Sequence, residues 1–186
     1  MVTKKRKAIL IHKARIETYK VKIVENGADL DMFYPQKMHD IRRQYRIPED
    51  ALILIYVGTL TDGQRIYVIL KALSLLDRKY WLLVVGDGPS KQKFQKIAEK
   101  LSLKDRVIFV DGVSHFKIPY YINNADIGII SYHNNPNLET ASPMKVYEYL
   151  ACGKPIVAGV PKGEFTNFII KHSVGRIAEP EDPMSH

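Results

Sequence analysis

The chain is poor in several features that would point to familiar chemistry. It holds one cysteine, Cys152, in 186 residues, which excludes an internal disulfide framework and suits a reducing compartment such as the cytosol. No apolar run approaches the ~20 residues that a membrane span requires. The basic start, MVTKKRKAILIHKAR, has only Ile9, Leu10 and Ile11 before His12 and Lys13 interrupt it. That is short of the about 7–15 apolar residues of a secretion signal. A dinucleotide site needs G-x-G-x-x-G, but VGTLTDGQ carries only Gly58 and Gly63, and VGDGPSK lacks the third glycine. ACGKP has the Gly-Lys of a phosphate-binding P-loop without its leading glycine or following hydroxyl, and reads better as a helix-stopping turn. The six histidines form no H-E-x-x-H or H-x-x-x-H pair, so no metal site is expected. Acidic residues are also few: 20, against 28 Lys plus Arg, for a net charge of +8. Such a surface favours anions, whether nucleotides, phosphorylated lipids, anionic membranes or nucleic acid.

What is present is a regular alternation. ALILIYVG (51–58) is a continuous apolar run closed by glycine, as expected of a strand buried on both faces. QRIYVILKALSLLDR (64–78) follows at helical spacing. Strands are then expected in WLLVVGDG, RVIFVDG, DIGIISY, PIVAG and GRIAEP. Helices are expected over 90–103, 116–125, 142–152 and 164–172. This pattern predicts an α/β fold: a Rossmann-like doubly wound parallel sheet of about six strands with helices on both faces. VKIVENG (21–27) is a candidate extra strand. Residues 1–20 read as a basic tail or interdomain segment, either solvated or in weak contact with an anionic membrane surface. Residues 21–186 read as the folded domain, and both ends look cut.

In such a sheet ligands bind beyond the carboxyl ends of the strands. One segment arriving there is SPMKVYEYLACGKPIVA (142–158). Ser142 and Pro143 suggest a helix start, with the serine as N-cap. Lys145 then lies in the first turn, where the helix dipole disfavours a cation by roughly 0.3–1 kcal/mol. A bound anion would explain the placement. The plainer alternative is an i,i+3 surface pair between Lys145 and Glu148. Tyr147, Met144, Leu150 and Ala151 are expected in the core, with Cys152 a small buried residue. Tyr120 and Tyr121 are expected to pack on the sheet, and His133 to face solvent.

VENGADLDMFYP, IYVGTL, LLVVGDGP, RVIFVDGV, ADIGIISY and the 142–158 segment occur in order. Together they resemble the C-terminal, donor-binding half of glycosyltransferase family 4 (group 1) enzymes, which have two Rossmann-like domains. The resemblance runs from about residue 21 to the end. It implies a nucleotide diphosphate-sugar donor, UDP- or GDP-linked, retention at the anomeric carbon, and neither cofactor nor metal. Within it, Glu148 matches the glutamate that binds the donor ribose, and Lys145 would reach the diphosphate. The family's first glutamate falls at Thr140, with Glu139 one residue out of register. Thr59 and Gln64 stand where relatives carry phosphate-gripping Arg and Lys, so Arg65 is a candidate replacement cation. Gly58 and Gly86 would line the floor, Gly112 and Val113 beside Asp111 would meet the base, and Ser142 would stand at the helix start. The acceptor side of the cleft belongs, in the family, to an N-terminal domain or would come from a partner chain, so little transfer is expected from this chain alone. Two other readings stay open: a non-catalytic subunit completed by a partner, and a basic Rossmann-type module for membrane or nucleic acid. Nucleic acid is not the expected partner. A cytoplasmic setting, peripheral at the membrane, is expected.

Overall fold

The computed structural model describes residues 4–135 and 142–185. Six strands form one parallel sheet: β1 (Leu52–Val57), β2 (Tyr80–Val85), β3 (Val107–Val110), β4 (Ile127–Ser131), β5 (Ile156–Gly159) and β6 (Gly175–Ala178). Their order is β3-β2-β1-β4-β5-β6, with every pairing parallel. All six expected strands are therefore present, and the sheet is doubly wound.

The helices are α1 (Lys4–Ala14), α2 (Ile41–Tyr45), α3 (Ile66–Leu75), α4 (Lys91–Lys100), α5 (Ile118–Asn123), α6 (Met144–Ala151) and α7 (Glu164–His172). Alternation along the buried strand β1 divides the core. Ile53, Ile55 and Val57 face one cluster, which contains residues of α2, α5, α6 and α7. Leu54 and Tyr56 face the other, under α3 and α4. Pro119 is tolerated in α5 because it occupies the first turn, where an N–H would lack a partner in any case.

One expectation needs correction. Residues 21–29 form no strand. The segment after them packs across one sheet face instead, burying Phe33, Ile41 and Ile47. Within residues 1–20, Lys4–Ala14 is helical, with Ile9 and Leu10 exposed.

The buried cation Arg106 ties the sheet to α3. It is 8% exposed. Its guanidinium donates to the carbonyls of Leu73 (3.2 Å), Leu76 (3.3 Å), Asp77 (2.8 Å) and Tyr80 (3.4 Å). The first two belong to the C-terminal end of α3 and its cap, where a cation is favoured, and the other two to the turn that leads into β2 and the first residue of β2.

Candidate functional site

β1 lies between β2 and β4, so the chain leaves the sheet in opposite directions on its two sides. A crevice opens at such a switch point, beyond the carboxyl ends of the strands. Tyr149 shapes it. Pairing between β1 and β4 covers only Leu54–Ile127 and Ile55–Gly128. The next free donor on β1, the Val57 N–H, bonds the Tyr149 hydroxyl at 2.9 Å. The ring lies against Gly128, where a Cβ would come within 2.3 Å of it. Tyr149 thereby seats α6 on β4. Lys145, four residues earlier on the same helix, falls on the same side.

The floor is glycine backbone. Gly58 (φ +142) and Gly86 (φ +150) both occupy a conformation that side chains disfavour, and a Cβ on Gly86 would stand 2.0 Å from the Gly58 carbonyl oxygen. The loops after β1 and β2 can touch only because both residues are glycine. Gly112 adjoins them, since a Cβ there would stand 3.5 Å from Asp87 Cβ. Val113 beside it is half-buried, and Thr59 is exposed.

Lys145 reaches this floor. Its Nζ would lie 2.8 Å from a Cβ on Gly58. The ammonium sits 4.3 Å from the centroid of the Tyr56 ring and 5.8 Å from that of Tyr132. Both rings present a negative face to it. Among the described residues Lys145 has no ion-pair partner. Burial pulls its pKa down from 10.5 to about 8, while Glu148, further off, favours the charged form. The charge is held in place but not neutralised.

Glu148, one turn on, is 7% exposed. Burial pushes its carboxyl above the ordinary value of 4.5, and His115 and then Lys145 oppose that shift. Nothing among the described residues donates a hydrogen bond to it. A desolvated carboxylate without donors is a ready acceptor for ligand hydroxyls.

Ser142 departs from expectation. Pro143 holds the N-cap position of α6, and no side chain caps the helix. The serine hydroxyl shares a 2.9 Å hydrogen bond with the Tyr147 hydroxyl, and its carbonyl accepts from Asn26 Nδ2 at 2.8 Å. Among the described residues, no side chain occupies the N-terminal N–H groups of α6.

Arg65 points elsewhere. It has φ +49, and its Nε and a terminal nitrogen meet Glu181 Oε1 at 3.0 and 2.9 Å. An existing carboxylate partner thus occupies the candidate replacement cation. Thr140 and Glu139 lie outside the described residues.

Of the residues of α6 expected in the core, Tyr147, Leu150 and Ala151 do pack against it, and Met144 does not. Met144 is 55% exposed, and Tyr147, Leu150 and Ala151 are half-buried, whereas Val146, Glu148 and Tyr149 are buried. Tyr147 packs on Phe168 of α7, 6.2 Å between centroids. The contact with Gly128 turns the helix so that Tyr149 leads into the core. Cys152 is buried, and that burial pushes its thiol up to about 11. Tyr121 is buried and Tyr120 half-buried against it. His133 does not simply face solvent. Its backbone N–H donates to the Gly63 carbonyl at 3.0 Å and its Nδ1 lies 3.3 Å from the same oxygen, linking the loops after β1 and β4.

Sequence reasoning missed Tyr56, Tyr132, Tyr149, His115 and Asn26. Spacing offered one usable signal, the i,i+4 relation of Lys145 and Tyr149.

A model of the family described as glycosyl transferases group 1 matches residues 37–185. The chain belongs to that family. Among curated proteins it is 27% identical over 180 residues to the lipopolysaccharide 1,2-N-acetylglucosaminetransferase of Salmonella typhimurium, covering 91% of this chain and 46% of that protein. It is 26% identical over 193 residues to the D-inositol 3-phosphate glycosyltransferase of Mycobacterium leprae, covering 96% and 43%. The chain thus spans about half the length of the curated relatives it matches. Among solved structures, HepE of Anabaena in complex with UDP and glucose superposes with a TM-score of 0.78 at 20% identity, over 97% of this chain and 48% of that one. That likeness establishes the shared fold. As a group 1 glycosyltransferase chain, this protein carries the doubly wound sheet that family members of known structure display. Among the described residues, no group of three or more His, Cys, Asp or Glu could hold a metal, and no helix is long and apolar enough to cross a membrane.

Proposed function

We propose that this chain is the donor-binding half of a retaining glycosyltransferase. It holds a UDP- or GDP-linked sugar with the pyrophosphate at the N-terminus of α6. The observation that carries the proposal is Lys145, a desolvated cation fixed 2.8 Å from the Cβ position of Gly58 without an ion-pair partner among the described residues. Uncapped N–H groups and the helix dipole add positive potential at the same place. During transfer the bond between sugar and diphosphate breaks and negative charge grows on the leaving nucleoside diphosphate. Lys145 and the helix terminus are already oriented to stabilise that charge. Glu148 accepts the ribose hydroxyls, and the glycine floor lets backbone N–H groups approach the phosphates.

The proposal includes no resident cofactor or metal, because the cation and dipole take the charge-stabilising role. HepE supports it, since its solved complex contains UDP and glucose. The curated relatives are about twice as long as this chain, so the acceptor wall of the cleft is assigned to a further domain or a partner chain. The 186-residue chain is expected to bind donor with little or no turnover. A cytoplasmic setting at the membrane surface belongs to the same proposal, supported by the basic helix α1 with its exposed Ile9 and Leu10.

Thermal-shift titration with UDP, GDP, ADP and their sugars tests the donor site. A true ligand at 100 times its Kd adds about 2.7 kcal/mol of stability. Glu148→Ala should weaken UDP, GDP and ADP alike, because all three carry the same ribose, and Lys145→Ala should weaken diphosphates far more than nucleosides. The same ligand profile in both variants, or binding that ignores nucleotides and collapses with salt, would sink the reading.

A further inference from the structure

Glu148 has a neighbour to which the donor reading gives no task. His115 follows β3, and its ring packs on Phe33 with centroids 5.3 Å apart and planes tilted by 56°. Phe33 is 1% exposed, so this contact anchors the imidazole on the core. The outer part of the imidazole remains accessible, because the His115 side chain is 54% exposed. Its Nε2 stands 3.8 Å from Glu148 Oε1. That distance is too long for a hydrogen bond, yet a single hydroxyl oxygen about 2.8 Å from both atoms would bridge it. Among the described residues neither atom has another hydrogen-bond partner. One side chain comes from the turn after β3 and the other from helix α6, so the gap is a product of the fold.

We propose that His115 and Glu148 form a two-sided clamp on the vicinal diol of the nucleotide ribose. Glu148 accepts the proton of a ribose hydroxyl, and the N–H of His115 Nε2 donates to an oxygen of the same diol. His115 is thus a specificity-determining residue for ribonucleotides, and Phe33 positions it. The clamp rests on the donor reading, which already gives Glu148 the ribose, and adds to it His115 as a second, donating side.

Isothermal titration of the full 186-residue chain with UDP, 2′-deoxy-UDP, 3′-deoxy-UDP and inorganic pyrophosphate tests it. His115→Phe keeps the packing on Phe33 but cannot donate. It should weaken UDP about three- to tenfold, the worth of one hydrogen bond. The penalty should vanish for the deoxy analogue that lacks the clamped hydroxyl, and pyrophosphate should bind as tightly as before. His115→Asn, too short to span the gap, should repeat the pattern and serves if the phenylalanine variant does not fold. An equal penalty for all three nucleotides, or none, overturns the clamp while leaving the donor site standing. Failure of the unaltered chain to bind UDP, GDP or ADP overturns both.

Discussion

Arg106 and Lys145 are two desolvated cations at opposite ends of one sheet, and they are satisfied very differently. Arg106 precedes β3, at the amino ends of the strands, and four carbonyl oxygens surround its guanidinium. Burial, and to a lesser extent Arg78, lowers its affinity for a proton, but its donors are used. Lys145 lies at the carboxyl ends, over two tyrosine rings, with a pKa drawn down to about 8. A buried charge is tolerated when hydrogen bonds replace its water. Arg106 meets that condition within the fold, whereas Lys145 has no hydrogen-bond or ion-pair partner among the described residues. The first cation serves stability, and under the proposed donor reading the second serves binding.

Substitutions should separate the two roles. Arg106→Ala should lower unfolding free energy by about 2–4 kcal/mol, since it removes the guanidinium that bonds four carbonyls between the end of α3 and the start of β2. Urea denaturation would measure this, and a stable variant would break the comparison. Lys145→Met should behave oppositely: UDP affinity should fall about tenfold or more, as for loss of a charge-assisted contact. Its unfolding free energy should hold or rise. Gly58→Ala should show a smaller effect of about 1–2 kcal/mol in stability from its φ of +142, within the range for backbone strain. It should also weaken diphosphates by displacing the lysine.

The pH dependence of Lys145 sharpens the same contrast. Its folded pKa lies below the ordinary value, so between about pH 8 and 10.5 the unfolded chain binds more protons there than the folded one. Stability of the unaltered chain relative to Lys145→Met should therefore increase with pH across that window. Diphosphate affinity should decrease as pH rises through about 8, because the free amine loses its charge. A flat difference between the two proteins would show that the ammonium is well solvated.

Much of the sheet was legible before any coordinates. Runs such as ALILIYVG and WLLVVGDG name buried parallel strands because they are apolar without alternation, short, and closed by glycine. The periodicity of QRIYVILKALSLLDR names a helix for an equally local reason. Lys145 also announced itself locally, as a cation at the wrong end of a dipole. The N-terminal segment was less legible, since α1 has little apolar patterning and residues 28–48 are held by scattered contacts of Phe33, Ile41 and Ile47.

The sequence by itself determined the order of elements, the sheet class, and the candidate pair Lys145 and Glu148. These depend on spacing over a few residues and on the helix dipole. Tertiary structure decided that Arg65 turns to Glu181, that Tyr149 rather than Met144 enters the core, and that Tyr56, Tyr132 and His115 surround the site. Those outcomes depend on which strands become neighbours and how closely two backbones approach, and such distances arise only when segments far apart in the chain are packed together.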